Sequence, residues 1–114
     1  MKVFYSKFLP PKGFSAINIF GFIIIRAEYR DSLDKHPLTK DRLINHERIH
    51  TRQMQEMLFI FFYLWYGVEW LIRWIGCGFQ SKVAYKNISF EREAYQNENN
   101  MDYLKNRRLF SWLR

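Results

Sequence analysis

Cysteine is nearly absent from this chain of 114 residues, in which Cys77 stands alone. An intrachain disulfide is therefore excluded, and zinc ligation by several cysteine thiolates is not expected. The chain also lacks internal repeats, low-complexity segments and interdomain linkers, so we expect one domain over residues 1–114. The stretch from Met1 to Lys7 has neither the apolar core nor the small-residue cleavage site of a secretory signal, which leads us to expect a cytoplasmic protein.

Acidic residues are also few. The chain has 11 acidic against 18 basic residues and a net charge of +7, which favours contact with an anionic surface, either phospholipid or nucleic acid. The basic residues are dispersed and no recognised nucleic-acid motif is present, so a nucleic-acid partner is not expected. Aromatic residues are abundant, at 19 %, which indicates a packed aromatic core, a membrane face, or both.

No uncharged run reaches the ~20 residues that a membrane-spanning helix needs. The main apolar segment covers residues 58–75, contains Glu69 and Arg73 at a spacing that lets them pair on a helix, and ends at Gly76-Cys77-Gly78. We interpret it as a helical hairpin bent near Gly67, packed in the core or lying with one face in a membrane surface. The aromatic residues that suit a membrane interface are Tyr63, Trp65, Tyr66, Trp70 and Trp74.

One motif carries chemistry: residues 46–50 read His-Glu-Arg-Ile-His. Residues four apart on an α-helix lie about 40° apart around the axis, so His46 and His50 can offer two imidazole nitrogens to one point. A catalytic zinc site uses three protein ligands, and Glu47 beside the first histidine is placed to act as general base. From Thr39, a suitable N-cap, to about Tyr66 the chain has neither Gly nor Pro, which predicts a long helix around the motif.

The remaining segments predict a mixed fold. Residues 2–9 suit an edge strand, and residues 14–28, split by Gly21, suit either a hairpin or one bulged strand. Residues 29–37 have the composition of a loop, with His36 at the surface. A second helix is expected over residues 81–99, and a last short helix within residues 101–114.

A third metal ligand must come from beyond the motif helix. A carboxylate on a neighbouring helix is one solution, and Glu91 and Glu93 are the candidates. Because these two glutamates are two residues apart, they diverge by about 200° on a helix and cannot both face one metal.

The motif of residues 46–50, followed about forty residues later by Glu91-Arg92-Glu93-Ala94-Tyr95, resembles the gluzincin metallopeptidases. The likeness is greatest to the small minigluzincins and extends to CAAX-prenyl proteases, HtpX-like proteases and BlaR-type sensors. There the glutamate ligand opens a Glu-x-x-Ala-Asp pattern, so the resemblance implies Glu91 as third ligand and Zn²⁺ as cofactor. The aspartate of that pattern, which orients a ligand histidine, is Tyr95 here. The residues that can replace it as partners of a histidine are Asn45, Gln53 and Glu93.

The sequence thus predicts an α+β fold, with a small N-terminal β-hairpin or sheet followed by a predominantly helical, zincin-like part. The predicted activity is zinc-dependent hydrolysis of a peptide or protein, with an extended substrate pairing along the strand near residues 20–26. Candidate donors to the developing oxyanion are Tyr85, Tyr95 and Tyr103. The alternative is a non-catalytic metal-binding or membrane-surface module on the same scaffold, with residues 58–75 as its membrane contact.

Overall fold

The N-terminal part of the chain forms a three-stranded sheet. The structure, a computed structural model, describes residues 3–113. Its strands β1 (Val3–Ser6), β2 (Ala16–Ile19) and β3 (Phe22–Arg26) lie in the order β1-β3-β2. β2 and β3 form an antiparallel hairpin, and β1 runs parallel to β3. The small sheet followed by helices confirms the predicted α+β class.

The hairpin turns at Phe20 and Gly21, both of which have positive φ, at 49° and 94°. Two residues with positive φ match the right-handed twist of the two strands, which explains the hairpin. β3 is the central strand, with Ile23 and Ile25 fully buried. Both edges of β3 are already paired, so the prediction that residues 20–26 pair with a substrate is wrong. β2 lies beside α2, and within the described sheet no strand pairs with its outer edge.

Helix begins earlier than predicted. A 3-10 turn (Ala27–Tyr29) and α1 (Arg30–Lys35) occupy the segment predicted as loop, and α2 covers Pro37–Glu56. Pro37 lies in the first turn of α2, where a missing backbone N–H costs no hydrogen bond. Thr39 is therefore inside the helix and exposed His36 occupies the N-cap position. α2 is the central helix and contacts β2, α1, α3 and α5.

α2 ends at Glu56 and does not reach Tyr66 as predicted. Leu58 has φ 52°, and the Phe59 N–H donates to the Met54 carbonyl at 2.7 Å while the Leu58 N–H donates to Gln55 at 3.4 Å. These bonds form a Schellman ending, usually built on glycine. Because leucine occupies the left-handed position here, the sequence contains no glycine to signal the break.

α3 (Ile60–Gly76) leaves this break at 110° to α2. Gly67 lies inside α3, so the segment after the break is one helix from Ile60 to Gly76 and the predicted helical hairpin bent at Gly67 is wrong. Within residues 3–113, each helix by itself is too short or too polar to span a membrane. Taken together as a bent pair, α2 and α3 have the length and composition of a span.

The predicted helix over residues 81–99 is two helices, α4 (Ser81–Asn87) and α5 (Ser89–Asn97), because Ile88 between them is extended, with ψ 136°. Glu69 of α3 caps α5, its Oε2 accepting from the Ser89 N–H and hydroxyl at 2.7 Å each. The predicted Glu69–Arg73 pair is present at 3.6 Å. The tail contains α6 (Tyr103–Asn106) and a 3-10 turn (Ser111–Leu113).

An apolar cluster joins α2, α3, α5 and the tail. Its buried members are Met54, Phe62, Ile88, Phe90 and Trp112. The rings of Phe62 and Phe90 lie 4.5 Å apart, as do those of Phe90 and Trp112. This cluster fixes α5 against α2.

A buried ion network lies beside that cluster. The Arg107 guanidinium donates to the carboxylates of Glu93 and Glu56, and all three side chains are at most 4 % exposed. Glu93 also accepts from Tyr103 at 2.5 Å and from Gln53 at 2.9 Å. The network ties the tail to α2 and α5.

Arg107→Ala is expected to destabilise the fold by about 3–5 kcal/mol, because two buried carboxylates lose their counter-charge. Chemical denaturation measures the change. Arg108→Ala, one residue along and exposed, is the control and is expected to stay within about 0.5 kcal/mol of wild type. Equal stability of the two variants would contradict this role for Arg107.

Candidate metal centre

The buried face of α2 is unusually polar. Asn45, His46, Glu47, His50 and Gln53 are all at most 6 % exposed. Burial of polar and charged groups costs free energy unless each group finds a partner. A helix that buries this face therefore indicates a functional site at that position.

Two of these side chains and one from α5 converge on one point. Nε2 of His46 and Nε2 of His50 lie 3.2 Å apart. Oε1 of Glu91, from α5, lies 3.2 Å from the first nitrogen and 3.0 Å from the second. The structure thus brings together the two histidines of the motif and the glutamate chosen as third ligand.

The spacing of these donors fits a tetrahedral metal ion. Bonds of about 2.0–2.1 Å at tetrahedral angles place neighbouring ligand atoms about 3.3 Å apart. The three measured separations, 3.0–3.2 Å, are close to that value. Two imidazole nitrogens and one carboxylate oxygen are also a donor set that zinc accepts, with a fourth position left for water. The residues present therefore fit the ion.

The electrostatics of the site favour a positive charge at the same point. Burial acts to raise the pKa of Glu91, but His50 and His46 outweigh burial and hold that pKa well below its usual range. Burial acts to lower the pKa of His50, and the Glu91 carboxylate outweighs it and raises the pKa to about 9. A proton or a metal cation is therefore stabilised between these side chains.

The two histidines differ in what lies at their other ring nitrogen, Nδ1. Nδ1 of His50 lies 2.8 Å from Gln53 Oε1, which leaves Nε2 of His50 for a metal. The Glu98 carboxylate lies 3.7 Å from Nδ1 of His46. The Tyr95 ring packs edge-on against the His46 imidazole, with ring centroids 4.5 Å apart. Gln53 is one of the three predicted replacements for the missing aspartate. Glu98 was not predicted, because it lies beyond the Glu91–Tyr95 pattern.

The other two predicted replacements have different partners. The Asn45 amide donates to the carbonyl oxygens of Glu98 and Asn100, at 2.9 and 3.0 Å, so it holds the end of α5. Glu93 points into the Arg107 network and reaches the site only through Gln53. The two candidate glutamates thus face different partners, as their spacing of two residues predicts.

Tyr66 of α3 was predicted as an interface aromatic but belongs to the site. Its hydroxyl donates to Oε2 of Glu91 at 2.7 Å. Burial, followed by the Glu91 charge, raises the pKa of Tyr66 far above its usual value, so the hydroxyl stays protonated as a donor. Tyr66 orients the second carboxylate oxygen of Glu91. No local pattern in the sequence indicates this contact, which depends on the bend between α2 and α3.

Glu47 is buried beside this cluster and is incompletely paired. Among the described residues, its Oε2 is one of two buried side-chain polar atoms without a hydrogen-bond partner, the other being the Trp112 indole nitrogen. Burial raises the pKa of Glu47, against the opposing effect of His50 and His46. A buried carboxylate with a free oxygen and a raised pKa is suited to accept a proton.

The site opens into an apolar cleft of about 730 Å³. Among the described residues that line the cleft, the side chains that can ionise are Glu47, His50, Glu91, Tyr63, Tyr66 and Tyr85. Asn18 of β2 joins one wall to the motif helix, its amide donating to the Glu47 carbonyl at 2.8 Å and to Thr51 at 2.6 Å. The apolar lining comes from both β2 and α3 and includes Phe14, Ile17, Phe20, Met54, Ile60, Phe62 and Leu64.

The three predicted oxyanion donors lie in different places. Tyr85 lines the cleft, and Tyr95 donates to the Tyr85 hydroxyl at 3.3 Å. Tyr103 binds Glu93 and belongs to the ion network. Tyr85 is therefore the candidate that borders the site.

Comparison of the chain with protein-family models, with curated protein sequences and with solved structures yields no match.

Tyr66→Phe is expected to weaken zinc binding by about tenfold or more, because the free oxygen of Glu91 loses the donor that orients it. Competition against a chelating dye measures the affinity. Tyr63→Phe is the control, since the Tyr63 hydroxyl binds the Asn18 carbonyl and has no bond to Glu91. Unchanged affinity in Tyr66→Phe would show that the hydroxyl does not support the metal site.

Proposed function

We propose that this protein is a zinc-dependent metallopeptidase of the gluzincin type, with His46, His50 and Glu91 as zinc ligands. One observation carries the proposal: three donor atoms at tetrahedral spacing lie beside a buried glutamate with a free oxygen. Two histidines that only hydrogen-bond to each other do not need a buried, incompletely paired carboxylate such as Glu47 beside them. The resemblance of residues 46–50 and 91–95 to the gluzincin pattern supports the same conclusion.

The residues of the chain divide the work of peptide hydrolysis. Zinc, when bound, polarises a carbonyl group and makes a water molecule more acidic. Glu47 takes the proton from that water and delivers it to the leaving amine nitrogen. Gln53 holds His50 through Nδ1, and Tyr66 holds Glu91, so the ligands keep their orientation.

The cleft indicates the substrate class. Its walls are mostly apolar, so side chains on either side of the scissile bond are apolar or aromatic. β2 forms one wall, and within the described sheet no strand pairs with its outer edge, where the Tyr63 hydroxyl binds the Asn18 carbonyl and the Phe20 N–H. An extended peptide that displaces this hydroxyl can pair with β2 by main-chain hydrogen bonds. The substrate is therefore an extended, apolar polypeptide segment.

Tyr85 is the proposed donor to the oxyanion that develops on the scissile carbonyl. It lines the cleft, and burial, followed by the Glu91 charge, raises its pKa far above the usual value. Its hydroxyl therefore keeps its proton at neutral pH and can donate to a developing negative charge.

Glu47→Gln and His46→Ala separate the base from the ligand. Glu47→Gln is expected to retain zinc near wild-type stoichiometry while hydrolysis falls at least about a hundredfold, because only the proton acceptor is lost. His46→Ala is expected to lose both zinc and activity, since two ligands remain. Metal analysis and mass spectrometry of an apolar peptide library measure the two properties.

Asp41→Asn, an exposed change on the same helix, is the control and is expected to leave both properties unchanged. Loss of zinc from folded Glu47→Gln would make Glu47 a ligand and overturn the assigned role. Zinc bound by a wild type that cleaves no peptide of the library would favour the non-catalytic metal-binding module.

Tyr85→Phe is expected to lower the turnover rate by about a hundredfold with zinc content unchanged, as for the loss of one oxyanion donor. Steady-state kinetics on a peptide identified with wild type provide the measurement. Tyr103→Phe is the comparison, because Tyr103 faces the Arg107 network and not the cleft. An undiminished rate in Tyr85→Phe would exclude this donor.

A further inference from the structure

The side of α3 that faces away from the protein is apolar, whereas the exposed side of a helix in water is normally polar. Its exposed side chains include Phe61, Leu64, Val68, Leu71, Ile72 and Ile75, each between 47 and 63 % exposed. At about 100° per residue these six positions form one continuous arc, which Ile60 and Trp65 extend to about 140°. We call these eight residues the apolar face of α3.

The polar groups of α3 lie on the other side of the helix. Glu69 is 13 % exposed at its side chain and caps α5. Tyr66 binds Glu91, and the Tyr63 hydroxyl binds the Asn18 carbonyl at 3.2 Å. A surface helix in water normally turns its polar side outward. The orientation of α3 is therefore fixed by the site, and the apolar face is left exposed, except that Trp65 at its edge packs against Trp112 with ring centroids 5.2 Å apart.

In the segment of the chain that contains this face, exposed charge has one sign. Between Met57 and Arg92 the acidic residues are Glu69 and Glu91, and both side chains are turned inward. The basic residues of the same segment are all exposed: Arg73, Lys82, Lys86 and Arg92. Lys82 and Lys86 belong to α4, which packs against α3. The region thus combines an apolar face with positive charge only, which complements an anionic lipid surface.

We propose that the apolar face of α3 docks on an anionic phospholipid bilayer, with the helix lying along the membrane surface. The arc has no hydrogen-bonding group except the Trp65 indole at its edge, which suits insertion among acyl chains. Ile60 and Leu64 of this face also line the cleft. The cleft mouth therefore borders the lipid surface. Docking does not depend on zinc or on hydrolysis, so it stands or falls separately from the proposed function.

The test is co-sedimentation of the full chain with two kinds of vesicles. Vesicles of phosphatidylcholine mixed with phosphatidylglycerol are expected to pellet wild type, and pure phosphatidylcholine vesicles to pellet several-fold less. The double variant Val68→Asp/Ile72→Asp is expected to bind the mixed vesicles at least about tenfold less. Both positions are exposed, at 59 and 63 %, so the variant should fold, which circular dichroism and zinc content check.

The control is Leu38→Asp, which places one aspartate on a more exposed leucine of α2, at 84 %, and is expected to bind like wild type; Ile72→Asp alone is its single-charge counterpart on α3. Wild type that remains in the supernatant with mixed vesicles, or a double variant that pellets as fully as wild type, would overturn the proposal. So would equal binding to the two vesicle types. A wild-type dimer in sedimentation velocity that the double variant dissociates would assign the face to a second copy instead.

Discussion

The structure depends on one contact: a single oxygen of Glu91 lies 3.0–3.2 Å from imidazole nitrogens one helical turn apart on α2. Those nitrogens and that oxygen come from segments about forty residues apart in the sequence. Holding them together requires α5 to be fixed against α2 in position and rotation. Glu69 fixes the start of α5, Asn45 its end, and the Arg107 network the side that carries Glu93.

The site is costly to bury, and the rest of the fold offsets that cost. Isolated carboxylates and imidazoles lose hydration when buried, and only partners or a cation compensate them. Two of the proposed ligands have a second hydrogen-bond partner, Gln53 on His50 and Tyr66 on Glu91, and the Glu98 carboxylate lies 3.7 Å from His46. The apolar cluster that includes Phe62 and Phe90 packs on one side of the site, with the Phe62 ring 6.2 Å from the His50 ring, and apolar surroundings strengthen such polar interactions.

α3 links the site to the outer surface. Its inner side supplies Tyr66 and Glu69, whose hydrogen bonds orient Glu91 and the start of α5. These polar groups determine which side of α3 faces inward, and the remaining side is the apolar face. The predicted interface aromatics divide in the same way, with Trp65 more exposed and Tyr66, Trp70 and Trp74 turned partly toward the protein. One helix orientation thus sets both the ligand geometry and the proposed membrane contact.

The sequence by itself determined the α+β class, a break in the strand region at Gly21 and the position of His46 and His50 on one helix face, whereas the structure decided between a hairpin and one bulged strand. These features follow from local periodicity, from Gly21 and from a spacing of four residues, so no distant contact is needed to predict them. The preference for Glu91 over Glu93 came from the resemblance to gluzincins. Only the tertiary structure decided the end of α2, the break at Ile88 and the contacts of Tyr66, Glu98 and Arg107. Leu58 takes a left-handed conformation usually filled by glycine, and the partners of these side chains lie on other elements, so local patterns contain no information about them.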